Sequence, residues 1–157
     1  MNICKCLGLV LTAVLLLPNS AASADAAKEA REKGKPGLEK KDYDAAITAL
    51  TEAIRLGPTN AQAFYTRGNV YVRAGAFDKA LADFTEAIRL DPKNSNAYWK
   101  RGRLHYRQGD LDKALADFSE TIRLDRMFPQ AYCNRGEAWL TKRRARTLAR
   151  SMTSRKP

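Results

Sequence analysis

The fold is decided by AQAFYTRGNVYVRAGAFDKALADFTEAIRLDPKN, Ala61 to Asn94, followed directly by SNAYWKRGRLHYRQGDLDKALADFSETIRLDRMF, Ser95 to Phe128. Shifting the chain by 34 residues places Arg67 on Arg101, Gly68 on Gly102, Gly75 on Gly109 and the block Asp78–Phe84 on Asp112–Phe118, both DKALADF. A further copy begins at Pro129 with PQAYCNRGEAW, and an earlier one ends with DYDAAITALTEAIRLGPTN, Asp42 to Asn60. A fixed period of this length means stacked supersecondary units, each covering the apolar face of the next.

Periodicity inside one unit gives two helices. The first runs from about Ala61 to Ala74 and stops at Gly75, whose freedom at positive φ suits a helix end. The second starts after Ala76-Phe77, with Asp78 expected as its N-cap, and ends before Pro92. Ala80, Leu81, Phe84, Ala87, Ile88 and Leu90 recur at helical spacing and give it one buried face. The sequence therefore predicts an all-α fold, an α-solenoid of about three antiparallel helix pairs or partial pairs plus a C-terminal helix. Its divisions are a degenerate first repeat over 25–60, full repeats over 61–94 and 95–128, a partial repeat or capping helix over 129–152, and a disordered basic tail over 153–157.

These residues resemble the tetratricopeptide repeat (TPR) family. Its pattern, an aromatic, Leu-Gly and Tyr in the first helix and Ala, an aromatic and Pro in the second, is met by Phe64, Gly68, Tyr71, Ala80, Phe84 and Pro92. The next copy supplies Tyr98, Gly102, His105, Ala114 and Phe118, with Arg126 where Pro is expected. The resemblance covers about Ala27 to Leu140. The physical reasons for the pattern are packing reasons: Gly68 and Gly102 allow close helix approach, small alanines leave that contact open, and the aromatics fill gaps between helices. Arg67, Arg101 and Arg135 stand where the family usually has an apolar residue. With Asp83 and Asp117 on the following helices, intra-repeat Arg–Asp pairs are expected, with contact to a ligand as the alternative role. His105, the only histidine, takes the Tyr71 position and reads as a core-edge residue, because no nucleophile or acid accompanies it at repeat spacing.

The pattern fails at both ends. In AAKEAREKGKPGLEKK, Gly34 keeps the repeat position, but Pro36 and Gly37 interrupt the helix, where an interior Pro costs about 3 kcal/mol. Ala26 to Lys33 is read as a frayed polar cap. Beyond Leu140 the next turn and ALADF helix are replaced by TKRRARTLARSMTSRKP. One reading is a single helix from Pro129 to about Met152, with Trp139, Leu140, Leu148 and Met152 covering the last repeat. The other is a truncated or frameshifted coding sequence.

The chain has 157 residues and a net charge of +11, from 28 Lys and Arg against 17 Asp and Glu, with 45% hydrophobic residues. It is too charged for a membrane-spanning bundle and too apolar for a wholly disordered chain. From Ala138 to Pro157 there are seven basic residues and no acidic ones, so the excess lies mostly in the tail and the repeat body is nearly balanced. At the other end Lys5 precedes an apolar run from Leu7 to Leu17, Pro18, and Ala22-Ser23-Ala24. This predicts a signal peptide over 1–24, cleaved after Ala24, and an exported bacterial protein, periplasmic or secreted, without stable membrane insertion. Cys133 would then be the one remaining cysteine, so neither an intramolecular disulfide nor a thiolate-rich metal site is expected, and pairing between chains is the alternative.

The resemblance implies that the first helices line a concave groove. Its groove side corresponds here to Gln62, Tyr65, Asn69, Val72 and Arg73, then Asn96, Trp99, Lys100, Arg103, Tyr106 and Arg107, then Gln130, Cys133, Asn134 and Glu137. Helical spacing puts Tyr65, Asn69 and Val72 on one stripe and Trp99, Arg103 and Tyr106 on the next. Aromatics flanked by Arg and Asn suit an extended, acidic peptide. Trp99 stands beside Tyr98, which already fills the core position, and is expected to face the groove; the alternative is inter-helix packing. The family's clamp for a peptide C-terminal carboxylate is matched only by Asn69 and Lys100, while Tyr65, Thr66 and Asn96 depart from it, so that specificity is not carried over.

A non-catalytic protein–protein interaction module follows, with a protein or peptide partner and no cofactor, metal or specific nucleic acid expected. The alternative is a binder of anionic surfaces, acidic polymer or lipid, through the basic tail. No nucleophile–base pair, phosphate-binding Gly loop, metal-ligand cluster or paired carboxylates at a cleft supports an enzyme.

Overall fold

The computed structural model describes residues 40–153, and the side chains of 43–150. It consists of α1 (Lys40–Leu56), α2 (Ala61–Arg73), α3 (Phe77–Leu90), α4 (Ser95–Gln108), α5 (Leu111–Leu124) and α6 (Pro129–Thr153), with no strand among the described residues. The leader, the frayed cap at Ala26–Lys33 and the interruption at Pro36-Gly37 fall outside the described residues, as do residues 154–157.

Each first helix is started and stopped by local chemistry. Asn60 and Asn94 cap α2 and α4, accepting hydrogen bonds from the backbone N–H of Ala63 at 3.2 Å and Ala97 at 3.1 Å. At the other ends Ala76 N–H donates to the Tyr71 carbonyl and Asp110 N–H to the His105 carbonyl, both at 2.9 Å. These six-residue closures need a left-handed residue, supplied by Gly75 at φ 77° and Gly109 at φ 82°. The second helices start differently from one another. Asp110 caps α5, whereas α3 begins after Ala76, which offers no side-chain cap. Asp78 is therefore not the N-cap: it lies inside the first turn, and its carboxylate accepts from Gln108 Nε2 at 3.0 Å.

Packing follows the repeat. Phe84 and Phe118 are fully buried. A Cβ added at Gly68 would lie 2.9 Å from the Phe84 ring, and one at Gly102 would lie 2.9 Å from the Phe118 ring, so glycine sets the spacing of each helix pair. The expected Arg–Asp pairs form. Arg67 donates to Asp83 at 2.8 and 2.7 Å, and Arg101 to Asp117 at 2.9 and 2.7 Å, each through Nε and Nη2. The spare Nη1 of each reaches back to the preceding second helix, Arg67 to Thr51 and Arg101 to Thr85. One guanidinium thus ties three helices together, and the bonds to the buried carboxylate hold each arginine above its ordinary pKa. The core runs as successive small clusters between neighbouring helices: Leu50 with Val70, Phe84 with Leu104, and Phe118 with Ala138. That is the one-dimensional order of a solenoid.

The C-terminal segment is a single helix, as one of the two readings expected, extending through Thr153. Of the residues expected to cover the last repeat, the Met152 side chain lies outside the described ones, and the other three do not cover it. Trp139 and Leu140 are each 53% exposed and Leu148 is 65% exposed, while Ala131 and Ala138 are the buried contacts. The register is the reason. Ala131 and Ala138 occupy the repeat positions of Ala63 and Val70, which face the preceding second helix, and Trp139 takes the position of Tyr71, which belongs to the next interface. Farther along, Lys142 reaches back to Asp112 at the start of α5.

Candidate functional site

The first helices stand side by side, and two side-chain hydrogen bonds tie α4 to α6 along the concave face. Trp99 Nε1 donates to Asn134 Oδ1 at 2.8 Å, and the Tyr106 and Thr141 hydroxyls are hydrogen-bonded at 3.3 Å. Three open troughs follow one another along this surface. The first, about 660 Å³, is lined by Gln62, Tyr65, Asn69, Val72, Arg73 and Lys100 among others. The second, about 380 Å³, takes Val72, Phe77, Lys100, Arg103, Tyr106, Arg107, Asn134 and Glu137. The third, also about 380 Å³, lies between Trp99, Arg103, Gln130, Cys133 and Asn134. Val72 and Lys100 are shared by the first two, and Arg103 and Asn134 by the last two, so the troughs are contiguous.

All nine residues singled out from the sequence, Tyr65, Asn69, Arg73, Trp99, Lys100, Arg103, Tyr106, Arg107 and Asn134, line this run. They are not equally available. Trp99 is half-buried; it packs against the Phe118 cluster, and its ring lies 5.4 Å from that of Phe128. It combines both roles weighed from the sequence, body in the packing and edge in the third trough. Asn69 gives one amide proton to the Tyr65 carbonyl at 2.9 Å, and Asn134 gives its oxygen to Trp99. The Asn134 amide N–H groups and the Asn69 side-chain oxygen have no partner among the described residues.

The cations are arranged over rings. The Arg103 guanidinium lies 4.9 Å and the Lys100 ammonium 5.3 Å from the Trp99 ring, and the Arg107 guanidinium 3.9 Å from the Phe77 ring. Burial, then the neighbouring Arg103 and Arg73, hold Lys100 below the ordinary lysine range. Among the described residues no carboxylate lies within salt-bridge reach of Arg73, Lys100, Arg103 or Arg107. Three arginines outside the groove are paired instead: Arg55 with Glu52, Arg89 with Glu86 and Arg123 with Glu120, each at 2.6 Å and three residues apart. Among the described residues the four groove cations thus stand without a salt-bridging carboxylate, as do Arg135 and Arg143 on α6.

Phe77 and Phe128 were not reached from the sequence. Phe77 opens α3 and Phe128 immediately precedes α6, and the only signal, for Phe77, was the aromatic in Gly-Ala-Phe-Asp where the next copy has Gly-Asp-Leu-Asp. His105 is half-buried with Nε2 4.0 Å from Asp117, and burial holds it below the ordinary histidine value. Cys133 is exposed on α6. Among the described residues no helix is long and apolar enough to cross a membrane, and no group of three or more His, Cys, Asp or Glu could hold a metal ion.

Comparison with known proteins agrees with this architecture. The Arabidopsis OM64 TPR domain is 27% identical, with a TM-score of 0.66 over 76% of this chain and 98% of that one. MamA is 27% identical, with a TM-score of 0.70 over 79% of this chain and 70% of its own. The second TPR domain of human RPAP3, solved in complex with the HSP70 peptide SGPTIEEVD, is 26% identical, with a TM-score of 0.64 over 74% of this chain and 97% of that one. No curated protein matches the chain. The tetratricopeptide repeat model matches residues 38–95, 65–132 and 100–146, more than half of the sequence, and the chain belongs to the tetratricopeptide repeat family.

Proposed function

We propose that the chain is a non-catalytic interaction module that holds an extended acidic segment of a partner protein along the groove of α2, α4 and α6. The observation that carries this reading is the set of four cations, Arg73, Lys100, Arg103 and Arg107, that line the contiguous troughs without a salt-bridging carboxylate among the described residues, beside tyrosine, tryptophan and asparagine side chains. A bound carboxylate would offset the repulsion among Lys100, Arg103 and Arg73 and receive hydrogen bonds from guanidinium forks. Tyr65, Tyr106 and Trp99 supply rigid contact area, and Asn69 and Asn134 supply backbone partners. The acidic peptide SGPTIEEVD in the human relative fits the same chemistry. We propose further, from the leader-like pattern of residues 1–24, that this activity is exercised outside the cytoplasm, in the periplasm or medium.

The test is fluorescence anisotropy with labelled SGPTIEEVD and its counterpart carrying Gln and Asn for Glu and Asp. The acidic peptide should bind the full chain more tightly, and Lys100→Glu with Arg103→Glu should weaken it by about tenfold or more, equivalent to about 1.4 kcal/mol. Exchanging Arg143, Arg144 and Arg146 for Gln should leave it nearly unchanged. The reverse pattern, loss only with the tail exchange, would replace the groove with an anion-binding tail.

A further inference from the structure

We infer that the face of α6 carrying Tyr132, Arg135, Gly136 and Trp139 docks an amphipathic, net-acidic helix of a partner protein, in the register that α3 holds on α2. This face differs from the groove side of α6, which presents Gln130, Cys133, Asn134 and Glu137, so the inference does not depend on the groove.

The array itself supplies the template. In α2 the equivalent positions are Phe64, Arg67, Gly68 and Tyr71, and α3 covers them with Phe84 against Gly68 and Asp83 on Arg67. The same arrangement recurs between α4 and α5 with Phe118, Asp117, Gly102 and Arg101. On α6 the same residue types lie uncovered by any described residue. A Cβ at Gly136 would meet nothing within 4 Å, Tyr132 is 44% exposed and Trp139 53% exposed. Arg135 stacks on Tyr132 at 5.7 Å, as Arg67 does on Phe64 at 5.7 Å, yet no carboxylate among the described residues takes the place of Asp83.

Charge and packing select the occupant. Arg135 calls for an aspartate, and the seven basic residues of 138–157 favour an acidic helix. A second copy of α6 would bring like charge to the same face. The second helices of another copy do not fit either: Asp83, Phe84, Asp117 and Phe118 are buried within their own pairs, and α1 carries Ala49 and a buried Leu50 at the corresponding positions. A partner helix with adjacent Asp and Phe on its apolar face satisfies both demands.

The probe is a labelled synthetic peptide copying residues 110–126, DLDKALADFSETIRLDR, which carries that register and is net acidic. Saturable one-to-one binding to the full chain is expected. Gly136→Leu fills the seat of the aromatic ring and should weaken binding at least tenfold; the open space around Gly136 lets this variant keep its fold, which circular dichroism checks. Replacing Asp117 of the peptide by Lys should weaken binding to the parent chain and regain it on Arg135→Glu. Absence of binding, indifference to Gly136→Leu, or no recovery in the charge swap overturns the inference. So does a sedimentation result in which the chain is a dimer that Gly136→Leu dissociates, since the occupant would then be a second copy.

Discussion

Gly102 and Gly136 hold the same repeat position, and replacing each by alanine should move stability in opposite directions. Alanine gains about 1 kcal/mol over glycine in a helix interior. At Gly136 that gain stands alone, because an added Cβ touches nothing within 4 Å. At Gly102 the Cβ would lie 2.9 Å from Phe118 Cε1 and 3.0 Å from Asp117 Cβ. Neither neighbour can retreat: Phe118 is fully buried, and Asp117 is held by two hydrogen bonds from Arg101. Overpacking of this kind costs about 1–3 kcal/mol. The net change is then a gain of about 1 kcal/mol at Gly136 and a loss of up to about 2 kcal/mol at Gly102. For a unit of this size each kcal/mol corresponds to about 4–8 °C in Tm. Urea unfolding of the full chain, followed by circular dichroism, measures both variants, and an unchanged slope shows that the denatured state is not responsible. Equal destabilisation by the two substitutions would refute the reasoning, because it would mean that α6 is covered where the structure leaves it open.

Three further outcomes follow from the same contacts. Asp83→Ala leaves Arg67 without its carboxylate between three helices and should cost about 3 kcal/mol in chemical denaturation, with Arg67→Leu in the same chain recovering part of it. His105 has its pKa lowered by burial, so the unfolded chain binds more protons as pH falls through about 6.5; stability is full above that range and lost on acidification. Thermal unfolding should accordingly show a smaller drop toward mild acid for His105→Tyr than for the parent chain, and identical drops would exclude the histidine. Lys100 is depressed by burial and neighbouring cations, and an acidic ligand raises its pKa again. Binding should therefore take up protons and weaken as pH rises through the free Lys100 pKa, which calorimetry in buffers of different ionisation heat detects, and Lys100→Ala should abolish the uptake.

Much of this structure was legible because a repeat states the same packing rule twice. Phe84 and Phe118, each followed back to a glycine sixteen residues earlier, and each Arg–Asp pair at the same separation, could be read from the shift alone. The ends were less legible. Apolar residues in α6 looked like a cover for the last repeat, but spacing does not reveal which face of a terminal helix finds a neighbour, and Trp139 and Leu140 lie on the open one. Asp78 was misplaced by two residues because Ala76 replaces the polar cap that Asp110 supplies in the next copy. The groove residues were found through the family pattern. Their electrostatic character was missed, although the sequence holds part of it: Glu86 and Glu120 stand three residues before Arg89 and Arg123, whereas Lys100 stands three before Arg103.

The most direct test of the groove is amide chemical-shift mapping of the isotope-labelled chain with the acidic nonapeptide. The account predicts perturbations running along α2, α4 and α6 through Asn69, Lys100, Arg103 and Asn134, with the outer residues Thr85, Arg89, Ser119 and Arg123 unmoved. Shifts confined to those outer residues, or to α6 beyond Lys142, would contradict it.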